Sequence, residues 1–315
     1  MMPQPSEAPC PAPADPEPSR DPSAPTGLVA WHRGRGVLPL VLAAPHGGRL
    51  APPEIPDRAV GSRVSDVQSL ELAEAVRDSF PEGGRPALVA SLLHRRKLDA
   101  NRPQGEAADG HPLAEAAWAE YHGALVVELR EAVGAHGVAL LLDLHGQSHR
   151  AATELGYVLT SADLLLADAE LEQKATSLSA LKRLRPDKTL IADLVRGSGS
   201  LGGLLEKAGF ACTPSPGRPR PVAEEELRRA EQAGLPAPRF FPGNFTARRY
   251  GAAATPALLP GGEGALEAEE VERWAGRVAA IQVETERRVR EESNRTAFAA
   301  ALRDAATEFL ALHAA

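Results

Sequence analysis

Aromatic residues make up only 4% of this 315-residue chain, which removes the stacking platforms that single-stranded nucleic acid binding needs. Two cysteines, Cys10 and Cys212, are too few for a disulfide framework, so a reducing compartment fits. No apolar run reaches the roughly 20 residues of a membrane-spanning helix. An unopposed basic stripe is missing as well. Arginines alternate with Glu and Asp, and a net charge of -7 argues against a nucleic-acid footprint. The first 25 residues have neither a basic n-region nor an apolar h-region, and they carry Glu7, Asp15, Glu17 and Asp21, which speaks against a signal or transit peptide. The expectation is a cytoplasmic protein with no nucleic-acid and no membrane partner, its oligomeric state open.

What is present is an ordinary globular composition, 43% hydrophobic and 24% charged, enough to bury a full core. Residues 1–25 are Pro/Ala-rich and read as a disordered tail, because Pro removes a donor and fixes φ. Residues 26–315 read as one catalytic domain, with a Pro-rich surface insertion at 214–238 that could act as a lid, and C-terminal helices at 267–314. Buried strands are expected at 36–44 and 87–93, at 138–144, which is the most apolar, and at 154–160 and 209–213. Helical spacing marks 65–80, with Ser65 as its N-cap, and 111–135, 164–184, 198–208 and 224–232. Apolar strands alternating with helices predict an α/β fold: a mainly parallel sheet covered on both faces.

In such sheets ligands bind beyond the carboxyl ends of strands. His46, in PHGG, and His145, in LLLDLHG, both stand just past a predicted strand end. Each alone reads as a polar loop histidine; together they point to a metal pair. Asp143, two residues before His145, falls on the same strand face and suits the second partner that fixes a liganding imidazole. A zinc hydrolase needs a third protein ligand and an open position. The chain has no HExxH, and Arg49 stands where an H-x-x-E glutamate would be. The third ligand is open between Asp66, Glu54 and Glu154, with Asp66 preferred. The loop HRRKLDANRP supplies Arg95, Asn101 and Arg102, forked and amide donors able to grip a carboxylate. Its other reading is a basic loop in which Asp99 pairs Arg95 or Arg102.

The blocks PHGG, HRRKLDANRP, LLLDLHG followed by ELGY, and PGNFTARRYG occur in this order between about Leu40 and Gly251. In that order they resemble the N-formylglutamate amidohydrolase family, particularly its broader branch of uncharacterised relatives, which is similar to the zinc carboxypeptidases. The resemblance implies a three-layer α/β/α sandwich with a mixed sheet and one Zn2+ per chain on His46 and His145. It implies that Asn101 and Arg102 bind a substrate carboxylate, with Arg248 assisting, that Arg95 faces the carbonyl oxygen, and that Glu154 is the general base. The missing H-x-x-E and the segment DVQSLELAEAV depart from the family pattern.

The expected activity is zinc-dependent hydrolysis of a linear amide in a small N-acyl amino acid, a small-molecule carboxylate. A peptidase, a γ-glutamyl or cell-wall amidase, and a silent metal- or ligand-binding domain are the alternatives. Other polar residues read blandly. His149 is a candidate to line the site; His32, His94, His111, His122, His136 and His313 have no ligand spacing. Ser91 and Ser148 lack a nucleophile elbow, and SGSLGG lacks the P-loop lysine.

Overall fold

The structure is a computed structural model that describes residues 26–236, 238–251 and 276–314. The Pro/Ala-rich segment up to residue 25, and residues 267–275 of the C-terminal helical expectation, lie outside the described residues. Among the described residues seven strands form one mixed sheet: β1 (Val29–His32), β2 (Leu40–Ala44), β3 (Ala87–Ser91), β4 (Ala139–Gly146), β5 (Thr153–Gly156), β6 (Cys212–Thr213) and β7 (Val278–Thr285). The spatial order is β1-β3-β2-β4-β7-β5-β6. The inner strands β3, β2, β4 and β7 run parallel; β1 and β5 pair antiparallel to β3 and β7, and β6 lies parallel to β5. The described α-helices are α1 (Ser69–Ser79), α2 (Gln104–Ala108), α3 (Pro112–His136), α4 (Asp168–Leu171), α5 (Ser179–Leu184), α6 (Ile191–Arg196), α7 (Leu201–Lys207), α8 (Glu224–Gln232), α9 (Phe245–Tyr250), α10 (Arg287–Arg290) and α11 (Glu292–His313).

Alternation along the strands sorts the core into two layers. Leu40, Leu42, Leu140, Leu142, Ile281 and Val283 point to one face, where α1, α7 and α11 deliver Leu72, Leu201, Phe298, Leu302 and Phe309. Val41, Ala43, Ala139, Leu141 and Ala280 point to the other, under Tyr121, Leu125 and Leu129 of α3 and Ala247 and Tyr250 of α9. This is the expected α/β/α sandwich. Each large apolar side chain so buried contributes about 1.5–3 kcal/mol before entropy is counted.

Three sequence expectations change. The segment 267–314 is not wholly helical, because β7 occupies Val278–Thr285 in the interior of the sheet, buried along its whole length. A strand covered on both faces loses the alternation of apolar and exposed polar residues that would mark it. The 164–184 stretch is not one helix but the short helices α4 and α5, and between them the Thr176 and Ser177 hydroxyls donate to the carbonyls of Tyr157 and Ala280, tying the chain to the sheet. And α1 starts at Ser69, not Ser65: Gln68 sits at φ 63, and the Ser65 hydroxyl accepts from Arg95 N instead of capping a helix. The charged segment at 224–232 is helical, as α8, and buries no residue.

Two glycines seat the end of β2. A Cβ on Gly47 would lie 2.3 Å from the Leu70 nitrogen, and one on Gly48 2.3 Å from the Leu92 carbonyl carbon. Only glycine lets α1 and the β3 exit approach His46 so closely.

His122 fixes α3 to the loop after β3. Its Nε2 lies 2.9 Å from the Ala100 carbonyl, which can only accept, so Nδ1 is left to receive the Tyr250 hydroxyl at 2.8 Å. Burial, with the Arg249 guanidinium nearby, pushes the His122 pKa down to about 3. The unfolded chain therefore binds this proton first as pH falls. The contribution is complete above about pH 6.5 and is lost between there and about pH 3. In urea titrations, His122→Gln, whose amide can keep both hydrogen bonds, should be less stable than the parent at pH 7. The gap should narrow by about 2 kcal/mol by pH 5. A gap independent of pH would show that His122 is not held neutral.

Candidate metal centre

The carboxyl ends of β2 and β4 are adjacent in the sheet, with Ala43 opposite Asp143. That register brings His46, two residues past β2, to His145 near the end of β4. The two imidazole Nδ1 atoms stand 3.1 Å apart, and the rings meet edge to face. Asp66 enters from the non-helical turn before α1. Its Oδ2 lies 3.3 Å from His46 Nδ1 and 3.1 Å from His145 Nδ1, and also accepts from Gly146 N at 3.1 Å. All three residues are buried.

The far side of each ring decides what these atoms can do. His46 Nε2 is 2.6 Å from Asp99 Oδ1, and His145 Nε2 is 3.0 Å from Asp143 Oδ2. A carboxylate accepts, so each Nε2 carries the proton and each Nδ1 is left with its lone pair. Three lone pairs, from two nitrogens and one carboxylate oxygen, therefore converge without a proton among them. Such an arrangement calls for a cation. Ligands 2.0–2.1 Å from a tetrahedral metal are about 3.3–3.4 Å from one another, close to the spacing here. The residues fit a divalent metal of the zinc type, with neutral imidazoles, one carboxylate and a carboxylate behind each histidine.

The surrounding carboxylates make the same point a favourable place for positive charge. Although burial opposes it, Asp143, Asp66 and Glu284 raise the His145 pKa well above the ordinary histidine value. Burial likewise opposes ionisation of Asp66, yet the His46 and His145 rings hold its carboxyl well below the usual range. Asp99, behind His46, is fully buried as well. It faces His46, Arg95 Nε at 3.0 Å, Arg102 Nε at 3.2 Å and Arg58 at 3.6 Å. Against the burial penalty, His46, Arg95 and Arg58 keep it ionised far below the usual range. Arg58, itself buried, donates to the carbonyls of Val60, Ser62, Arg95 and Glu106 and fixes the loop from which Asp66 emerges.

Glu284 is the residue sequence reasoning misses. It lies directly opposite His145 in the β4–β7 register, and its Oε1 is 3.9 Å from His145 Nδ1. Burial pushes its carboxyl up to about 7, with His145 pulling against that shift and Asp66 adding to it. Gln282, two residues earlier on the same face, donates to it at 2.8 Å. Its segment read as helix, so nothing in the sequence placed it beside a strand end; the signal available was the run VAAIQVET itself.

The other expected site residues divide. Glu54 is exposed. Glu154 shares a row with Glu284 across β5 and β7, but it is fully buried and accepts from Arg150 Nε at 2.5 Å, His149 Nε2 at 2.8 Å and Phe241 N at 3.0 Å. It is not left as a free base. Asn101 is buried; its Oδ1 accepts from the Thr246 amide and hydroxyl, and its Nδ2 lies 3.3 Å from His145 Nε2. Arg102 pairs with Asp99 and Glu106, so the loop closes on its own carboxylate. Arg95 bridges Asp99 and Asp66. Arg248 is exposed; its neighbour Arg249 is the buried one, packed over Trp118, Phe245 and Tyr250.

A cavity of about 690 Å³ opens over Asp66 and Gly146. Among the described residues, Arg95, Arg102, Arg239, Arg287 and Arg290 line it against Asp66 and Glu291, and His149 lies in its wall. The surplus of guanidinium favours an anionic ligand. No helix of the described residues is long and apolar enough to cross a membrane.

Purified protein exposed to zinc should retain about one divalent ion per chain. His46→Ala and His145→Ala should each weaken binding by two orders of magnitude or more, as a lost ligand does, with circular dichroism unchanged. Full retention of metal by both variants would mean that the ion sits elsewhere.

No family model and no curated protein matches this chain. Among solved structures it is similar to the crystal structure of an N-formylglutamate amidohydrolase from Ralstonia eutropha, at 16% identity over 90% of this chain and 96% of that one, with a TM-score of 0.44. It is also similar to a gene product of Agrobacterium tumefaciens, at 12% identity over 90% and 95% of the two chains, with a TM-score of 0.43.

Proposed function

We propose that the chain is a metal-dependent hydrolase of the amide bond in a small N-acyl amino acid. The observation that carries this reading is the convergence of His46 Nδ1, His145 Nδ1 and Asp66 Oδ2, with Glu284 beside them and a cationic cavity above. Amide hydrolysis needs an electrophile at the carbonyl oxygen, a base for water and a donor for the leaving nitrogen. A divalent metal, zinc by the donor set, supplies Lewis acidity toward the carbonyl and toward water when held by the three residues.

The chain's own groups do the remaining work. Glu284, whose carboxyl stands 3.9 Å from His145 Nδ1, takes a proton from the attacking water and delivers it to the departing amine nitrogen, so the acyl group leaves as a carboxylate. Arg95, held at the cavity edge by Asp66 and Asp99, directs its guanidinium at the charge that develops on the carbonyl oxygen. Arg102 lines the same wall and presents the donors that Asp99 and Glu106 leave free to a substrate carboxylate. Glu154 acts as the buried acceptor that aligns His149 and Arg150, in place of the base role its sequence context suggests.

The cavity volume favours a second reading of the acyl side. About 690 Å³ exceeds what a formyl derivative of one amino acid fills, and the exposed Val64 and Val67 stand on its rim. A larger acyl group, as in a peptide or a γ-glutamyl amide, suits that space.

Glu284→Gln should keep the metal and lose about 10²–10⁴-fold in kcat on whichever N-acyl amino acid the wild type hydrolyses. Glu154→Gln, which removes an acceptor from His149 and Arg150, should lose much less. The reverse order of the two effects would return the base role to Glu154.

A further inference from the structure

Arg290 is 4% exposed, and among the described residues no carboxylate lies within ion-pair distance of it. Its guanidinium is spent on backbone carbonyls instead. Nε donates to Val67 at 2.8 Å; Nη1 donates to the Gln147 carbonyl at 3.3 Å, to the Thr285 hydroxyl oxygen at 3.3 Å and to the Thr285 carbonyl; Nη2 reaches Gln147 at 3.4 Å. These acceptors are not scattered. Val67 follows Asp66, Thr285 follows Glu284, and Gln147 is two residues past His145. The Thr285 hydroxyl in turn donates to the His145 carbonyl at 2.6 Å. One side chain thus clasps the three segments that carry two of the converging donors and the neighbouring carboxylate.

Gly146 completes the fit. A Cβ there would stand 2.4 Å from both Cζ and Nη1 of Arg290, so the guanidinium lies flat against a residue that must have no side chain. The same Gly146 gives its amide to Asp66 Oδ2. Only a planar fork with several fixed donors can serve three carbonyls of separate segments at once; an ammonium on a flexible stem cannot.

We propose that Arg290 is the positioning residue of the metal centre, setting the Asp66–His145 spacing and the placement of Glu284, and that Gly146 is its seat. The proposal rests on the reading of His46, Asp66 and His145 as metal ligands. Its test therefore includes a measurement on metal-free protein.

The variants are Arg290→Met, Arg290→Lys, Gly146→Ala and the Arg290→Met/Gly146→Ala double. They are compared with the wild type for zinc affinity by chelator competition and for the absorption spectrum of the cobalt(II) form. Metal-free protein is compared by nitrogen-15 spectra of the histidine rings. Arg290→Met, Arg290→Lys and Gly146→Ala should each lose about 10–100-fold in zinc affinity and change the cobalt spectrum, while circular dichroism stays that of the wild type. Guanidinium ion at low, non-denaturing concentration should restore part of the affinity to Arg290→Met and none to Gly146→Ala, whose added methyl blocks the seat. The double variant should bind zinc no more weakly than the worse single one, because both remove one interaction.

Wild-type affinity and spectrum in the folded single variants, or losses that add in the double, would overturn the proposal. If Arg290→Met does not fold, Arg290→Lys and Gly146→Ala carry the comparison. If the wild type itself binds no metal, it is the metal reading that fails. The ring spectra then decide for Arg290: a changed His145 signal in Arg290→Met or Arg290→Lys upholds its positioning role, and an unchanged one ends it.

Discussion

Two imidazoles whose unprotonated nitrogens face each other 3.1 Å apart are a constraint that the rest of this molecule is arranged to sustain. Left alone, one ring would rotate or take up a proton. Here each is prevented from turning by a buried carboxylate on its other nitrogen, Asp99 for His46 and Asp143 for His145. Those carboxylates have their own demands. Asp99 is stabilised by three arginines, and Arg58, the most buried of them, is itself satisfied by four backbone carbonyls. The site is therefore built outward in shells of charge and hydrogen bonding, each one making the next tolerable in a low-dielectric interior.

The sheet supplies the coordinates for this arrangement. Parallel pairing of β2, β4 and β7 brings the strand ends together, and the register sets His145 opposite Glu284 and Glu154 opposite Glu284. Small residues at Gly47, Gly48 and Gly146 let α1, the β3 exit and Arg290 close in on those ends. Packing and chemistry are joined at these positions: a methyl group added at Gly47 or Gly48 would meet the backbone of Leu70 or Leu92, and one at Gly146 would displace the Arg290 guanidinium.

Much of this is legible in the amino-acid sequence, and the remainder fails for identifiable reasons. The two strand-end histidines and Asp143 can be read because a buried run, a glycine turn and the period of two place them without any knowledge of pairing. Asp66 is legible as a residue although the turn that carries it is not: Ser65 imitates a helix cap, and the left-handed Gln68 leaves no trace in composition. Glu284 is hidden because β7 is buried along its whole length, so VAAIQVET shows no alternation of exposed and buried residues and reads as well as helix. Glu154 is legible as a strand-start carboxylate, but only the fold shows that it accepts from His149, Arg150 and Phe241. The arginines of the Arg95–Arg102 loop carry the same ambiguity: donors suited to an external carboxylate are equally suited to Asp99, three or four residues away. Between Arg248 and Arg249 the sequence offers no means of choosing the buried one.

The central claim is that His46 Nδ1, His145 Nδ1 and Asp66 Oδ2 are shaped for one metal ion. X-ray absorption on the zinc-loaded protein addresses it most directly, because imidazole rings leave a distinctive multiple-scattering pattern. The account predicts two imidazole nitrogens at about 2.0–2.1 Å, oxygen completing the shell at about 2.0–2.2 Å, and no sulfur. A spectrum with a thiolate contribution, with a single imidazole or with oxygen alone would contradict it.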